Sequence, residues 1–134
     1  MAGQHDLAVL LLGLAADDEA AARAMLDVPS VTDSIIGFHA QQAVEKALKA
    51  VLASRGVEFP FTHLLARLMD LCDSAGAPVG PALFEARRLT PYAARLRYGT
   101  EVSTDVTRAE AASWAADAIA WARDMVGSGS PPHD

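Results

Sequence analysis

His39, Gln42, Lys46 and Lys49 recur at intervals of three and four residues, so in an α-helix they form one polar stripe. Their types suit anion binding. The amide both donates and accepts, the imidazole changes charge near neutral pH, and the two ammonium groups belong to the only lysines in the 134 residues. Two readings fit this spacing. A helix face open to water carries such charge at no cost; alternatively the stripe lines a groove where Gln42, Lys46 and Lys49 meet a phosphate or a carboxylate. A second cationic group lies further along. Arg87-Arg-Leu-Thr-Pro-Tyr-Ala-Ala-Arg-Leu-Arg-Tyr98 holds four arginines and no acid, and Tyr92 and Tyr98 beside them suit stacking on a base. The competing reading pairs these arginines with the chain's own carboxylates at a helix or subunit interface.

Other chemistry is absent. The four histidines are scattered, with no pair at the spacing that presents two ligands from one helix, so neither a metal nor another cofactor is expected. His63 has no second histidine or carboxylate at a spacing that marks it as a catalytic base; a histidine packed at a helix start is the plainer reading. There is no glycine-rich phosphate loop and no hydrolase elbow, so a bound nucleotide has to be held by side chains of helices.

The elements that must position these groups are helical. The 134-residue length suits one domain with one core. Hydrophobic residues make up 51%, largely alanine and leucine, which favours packed helices over a disordered chain. A net charge of −6 argues against coating duplex nucleic acid through the overall field, while leaving room for a local basic patch that takes a phosphate or a single strand. Cys72, alone, cannot form an internal disulfide and reads as core filler in a reducing compartment. The apolar run from Leu7 to Ala16 has the length of a signal-peptide core, but Asp6 and neither Lys nor Arg precede it, and it is too short to cross a bilayer. The expected location is cytoplasmic, without membrane association.

The first helix is expected over about residues 4–27, with Leu7, Leu11, Leu14, Ala21 and Met25 on its buried face and Pro29 beyond its end. Asp18 falls on that face, so it must pair with a lysine or arginine of a neighbouring helix or join the groove beside Lys46 and Lys49. Ser30-Val-Thr-Asp33 resembles a capping box that starts a second helix at about residue 31, ending near Arg55-Gly56. Ile36, Ala40, Ala43, Ala47 and Val51 form its core stripe. Thr62 is the expected N-cap of a third helix reaching Ser74. Gly76 to Pro81 reads as a loop, followed by a short helix over about 82–89 and another, capped by Thr90 with Pro91 in its first turn, through about Tyr98. Thr107-Arg-Ala-Glu110 is a capping box for a last helix to Val126, with Trp114, Ala118, Trp121 and Met125 on one face. The expected architecture is all-α, an antiparallel up-and-down bundle of four to five helices over residues 1–126, with 127–134 as a flexible tail.

Phe38-His-Ala-Gln-Gln-Ala-Val-Glu-Lys-Ala-Leu-Lys-Ala50 closely resembles the signature helix of HEPN domains, and other pieces of that pattern follow in order. Ala15-Ala16-Asp17-Asp18 with Ala22 and Met25-Leu26 resembles the family's first helix, where an acid at the position of Asp18 is typical. Thr62-His63 matches the pair that opens the third helix. Tyr92, Arg97 and Tyr98 resemble the residues closing the fourth segment, although Gly99 replaces the usual proline. The resemblance implies a homodimer that binds nucleotide or RNA and, for small members, a partner minimal nucleotidyltransferase in a toxin-antitoxin-like pair. The expected ligand residues are His39, Gln42, Lys46, Lys49, Arg97 and Tyr98, with Asp18 as a structural acid. Many members are metal-independent ribonucleases with an arginine followed, after four to six residues, by a histidine. That motif is missing here: seven residues separate Arg55 from His63, and no arginine precedes His39 at that distance. Two alternatives stand beside the binding module: a ribonuclease with an atypical site around His63 or His39 and Arg97, and a purely structural dimerisation module.

Overall fold

The helix carrying the polar stripe is also the hub of the molecule. The computed structural model describes residues 2–94 and 104–128. Its elements are α1 (Ala2–Met25), α2 (Asp33–Ser54), α3 (Leu65–Ser74), α4 (Gly80–Phe84), a 3₁₀ segment (Glu85–Ala94) and α5 (Arg108–Ser128). No strand occurs among the described residues. Helix α2 packs on α1, α3, the 3₁₀ segment and α5, which is the all-α up-and-down bundle expected. Most of its 22 residues are buried, and Ile36, Ala40, Ala43, Ala47 and Val51 are fully so.

Helix α1 turns a different face inward from the one its hydrophobicity suggests. Ala8, Ala15 and Ala22 are fully buried at heptad spacing, while Leu7 and Leu14 are 41% and 40% exposed and Leu10 is 58% exposed. Small residues let two helix backbones approach closely, and alanines on α1 combined with Ala40, Ala43 and Ala47 on α2 make such a seam. The leucines then flank the seam instead of filling it.

The helix ends show which local signals survive folding. The α2 cap is Thr32, not Ser30: its side chain accepts from Ile35 N at 3.4 Å. Gly56 takes φ 69° just beyond the end of α2, a conformation that closes helices and suits glycine. Helix α3 starts two residues later than expected, its N-cap at Leu64 rather than Thr62, because Thr62 Oγ1 is occupied by Leu64 N at 3.1 Å. The hydroxyl of Thr90, from the 3₁₀ segment, accepts from Leu65 N instead. Thr90 thus caps α3 rather than a helix of its own. The Thr107–Glu110 capping box of α5 is reciprocal: Thr107 N donates to Glu110 Oε1 at 3.0 Å, and Glu110 N to Thr107 Oγ1 at 3.1 Å.

Two arginines tie the ends of helices together. Arg55 donates to Ala75 O and Met125 O, joining the ends of α2, α3 and α5. Arg108 reaches Leu26 O, Val28 O and Val31 O, the carbonyls of the α1–α2 connection, and Asp33. Cys72 is buried, and burial pushes its thiol up to about 12, so it is inert filler.

Candidate ligand-binding face

The stripe is half-buried and tied to two carboxylates. Asp18, on α1, accepts from Lys46 Nζ at 2.5 Å and from His39 Nδ1 at 3.0 Å. That lysine of α2 compensates the Asp18 charge at its half-buried position on α1. Glu45, only 5% exposed, is the second centre. It accepts from Gln41 Nε2 at 2.9 Å, Lys49 Nζ at 2.9 Å and His63 Nδ1 at 2.8 Å. Gln42 joins the same network by donating to Gln41 Oε1 at 2.7 Å. Lys49 also lies over the Phe59 ring, 5.6 Å from its centroid.

These bonds fix the tautomers. An ionised carboxylate only accepts, so each histidine carries its proton on Nδ1 and leaves Nε2 as the basic nitrogen. His63 is 55% exposed and His39 32%. Each lysine spends one of its three donors on a carboxylate, Lys46 on Asp18 and Lys49 on Glu45. The stripe is therefore a positioned set of donors, not an uncompensated positive field.

Burial pushes the Glu45 carboxyl up, but the bonds from His63, Gln41 and Lys49 outweigh it and hold the group below its usual 4.5. A depressed folded value means that its contribution is complete above the unfolded value and lost as pH falls through the folded one. Glu45→Gln is expected to cost about 1–2 kcal/mol at neutral pH. In urea unfolding measured from pH 7 down to pH 3, the gap from wild type should close below pH 4.5. A gap independent of pH would show that the carboxylate's charge is not what the three donors hold.

The arginine-rich segment divides. Arg87 bonds Glu85 and stacks on Phe84, 4.2 Å from the ring centroid to Cζ. Arg88 pairs with Asp105 at 2.8 Å and lies over Trp114. Both are thus engaged with the chain's own groups. Tyr92 is 3% exposed, its ring against the α2 backbone at Gly37 and its hydroxyl bonded to Thr104 at 2.7 Å, so it has no face for a base. Arg97 and Tyr98 lie outside the described residues.

Periodicity alone did not mark Glu45 as a centre, although Gln41 and Lys49, four residues to either side, carry the signal for a helical network. His63 reaches it only through the fold. Nor did the sequence point to a groove of about 370 Å³ between the first turns of α1 and the α2–α3 connection, bordered by Gln4, Leu7, Ala53, Val57, Glu58 and Phe59. None of the stripe residues lines it, though Lys49 stands beside it through Phe59. Among the described residues no group of three or more His, Cys, Asp or Glu is placed to hold a metal. No described helix is long and apolar enough to cross a membrane.

The model of the HEPN domain matches residues 8–123, most of the chain. No curated protein and no solved structure matches it.

Proposed function

Because the chain belongs to the HEPN domain family, whose members are generally nucleotide- or RNA-related, we propose that it is a cytoplasmic, non-catalytic module that binds nucleotide or RNA, dimerises and associates with a minimal nucleotidyltransferase in a toxin-antitoxin-like system. The observation that carries the binding part is the positioning of His39, Gln42, Lys46 and Lys49 along one face of α2, each held by Asp18 or the Glu45 network. Arg97 and Tyr98 complete the proposed ligand set. Calorimetry with nucleotides should give heat for the wild type and at least a tenfold weaker affinity for the Lys46→Ala/Lys49→Ala double variant, each lost charge-assisted contact being worth about 1.5–3 kcal/mol. No heat from either protein removes nucleotide binding.

The outward leucines of α1 support the dimer. Leu10 and Leu14, 58% and 40% exposed, form an apolar line at helical spacing, continued by Val9, which is 52% exposed. Light scattering should show twice the chain mass for wild type and the single mass for Leu10→Asp; two equal masses would place the interface elsewhere. The same dimer without a ligand is the purely structural alternative.

A second reading is favoured by the two carboxylate-held imidazoles. With Nδ1 bonded to a carboxylate, His63 or His39 has the tautomer of a general base, and with Arg97 it makes an atypical metal-independent ribonuclease. RNA cleavage that His63→Ala or Arg97→Ala abolishes would establish it, and intact RNA at high protein concentration would exclude it.

A further inference from the structure

One face of α2 carries His39, Gln42, Lys46, Lys49 and then Ala53, and Ala53 is a wall of the groove at the end of that helix. The polar stripe therefore runs into the groove. Leu7, Ala53, Val57 and Phe59 make it apolar, while the amide of Gln4 and the carboxylate of Glu58 are its polar groups. Glu58 forms no ion pair among the described residues. Gly56 at φ 69° folds the chain back beneath Gln4; a β-carbon on it would meet Gln4 Nε2 at 2.8 Å. The Lys49 ammonium, outside the lining itself, lies 5.6 Å from the centroid of the Phe59 ring that forms one wall.

An apolar slot with an amide, a free carboxylate acceptor and an ammonium at its edge has the complement of a nucleoside monophosphate. The planar base takes the apolar walls. An exocyclic amine on the base donates to Glu58, as base amines do to acidic side chains elsewhere. The phosphate meets the Lys49 ammonium, which also bonds Glu45. About 370 Å³ lies within the range of small-molecule sites, roughly 300–1,000 Å³. We infer that this groove binds the base of a nucleoside monophosphate, free or at an RNA end, and prefers bases that carry an exocyclic amine. The inference rests on the nucleotide-binding reading above and locates the base, with the phosphate toward the α2 stripe.

The test is calorimetric titration of the full chain with AMP, CMP, UMP and ribose 5-phosphate, repeated on Leu7→Trp and Glu58→Gln. Leu7 and Glu58 are exposed, so neither change removes a core residue, and a thermal melt checks each fold. AMP and CMP should bind roughly tenfold more tightly than ribose 5-phosphate, the scale of one stacked base. UMP, with a carbonyl where CMP has its amine, should bind less tightly than CMP. Leu7→Trp fills the groove and should reduce AMP to the affinity of ribose 5-phosphate, leaving the latter unchanged. Glu58→Gln should narrow the gap between CMP and UMP. Competition of a short oligoadenylate with AMP distinguishes an RNA end from a free nucleotide. Wild-type binding of AMP that both variants leave intact overturns the groove assignment and spares the nucleotide-binding reading; failure to bind any of the four compounds overturns both. A changed molecular mass in Leu7→Trp with unaltered AMP binding marks the groove as a contact between chains and also overturns the assignment.

Discussion

Arg108→Ala should lower the stability of the chain by about 3 kcal/mol and its melting temperature by roughly 10 °C. The size follows from what the guanidinium does. Its Nη1 donates to Leu26 O at 3.1 Å and Val28 O at 3.2 Å, its Nη2 to Val31 O at 2.7 Å, and its Nε to Asp33 Oδ1 at 2.8 Å. The three carbonyls lie in the α1–α2 connection, where only Val28 O also accepts a described backbone bond, from Val31 N at 3.1 Å, and the side chain is only 24% exposed. Asp33 is 63% exposed, so the ion pair itself contributes little, and Asp33→Asn should cost well under about 1 kcal/mol. Lysine at 108 has one ammonium in place of the planar fork and should recover less than half of the loss. Thermal unfolding of the three variants separates these contributions: equal losses for Arg108→Ala and Asp33→Asn would mean that the salt bridge, not the carbonyl clamp, holds α1, α2 and α5 together. An arginine in the first turn of a helix opposes the helix dipole, and that misplacement is its one trace in the sequence.

What could be read from the sequence was whatever depends on neighbours within about one helical turn. The α2 core stripe and the α5 capping box follow from spacing and short-range bonds, and both stand. Asp18 betrayed itself as an acid on a helix face needing a cation, and Lys46 is that cation. The buried face of α1 was misread because hydrophobicity is a poor guide to burial where backbones meet closely: alanine fits the seam with α2 and leucine does not. The remaining losses are non-local. Thr90 has the sequence of a helix cap and serves one, but for α3, 25 residues earlier. Glu45 gathers His63 from 18 residues away, and the groove needs residues 4 and 7 beside 53–59. No window of sequence contains those pairings.

Gly37 is the position where one methyl group should do most harm. Glycine inside a helix is normally a liability of about 1 kcal/mol relative to alanine, so its presence just past the first turn of the hub helix calls for a cause. The cause is Tyr92. A β-carbon on residue 37 would lie 2.4 Å from Cδ1, 2.5 Å from Cε1 and 2.8 Å from Cγ of that ring. The ring cannot simply swing away, because it is 3% exposed and its hydroxyl is bonded to Thr104. Gly37→Ala should therefore destabilise by about 1–2 kcal/mol despite the better helix propensity, and Gly37→Val by about 3 kcal/mol. In a Tyr92→Ala background the obstacle is gone and the sign should reverse, Gly37→Ala then adding up to about 1 kcal/mol. Chemical denaturation of the four proteins in that cycle decides the matter, and a stabilising Gly37→Ala in the wild-type background would refute the contact. The consequence reaches the ligand face as well. Tyr92 anchors the 3₁₀ segment bearing Arg87 and Arg88 against α2 two residues before His39, so a displaced ring shifts that segment relative to the stripe. Nucleotide affinity measured on folded Gly37→Ala should fall if the arginine-rich segment and the α2 stripe hold one ligand between them, and stay unchanged if the stripe and its groove act alone.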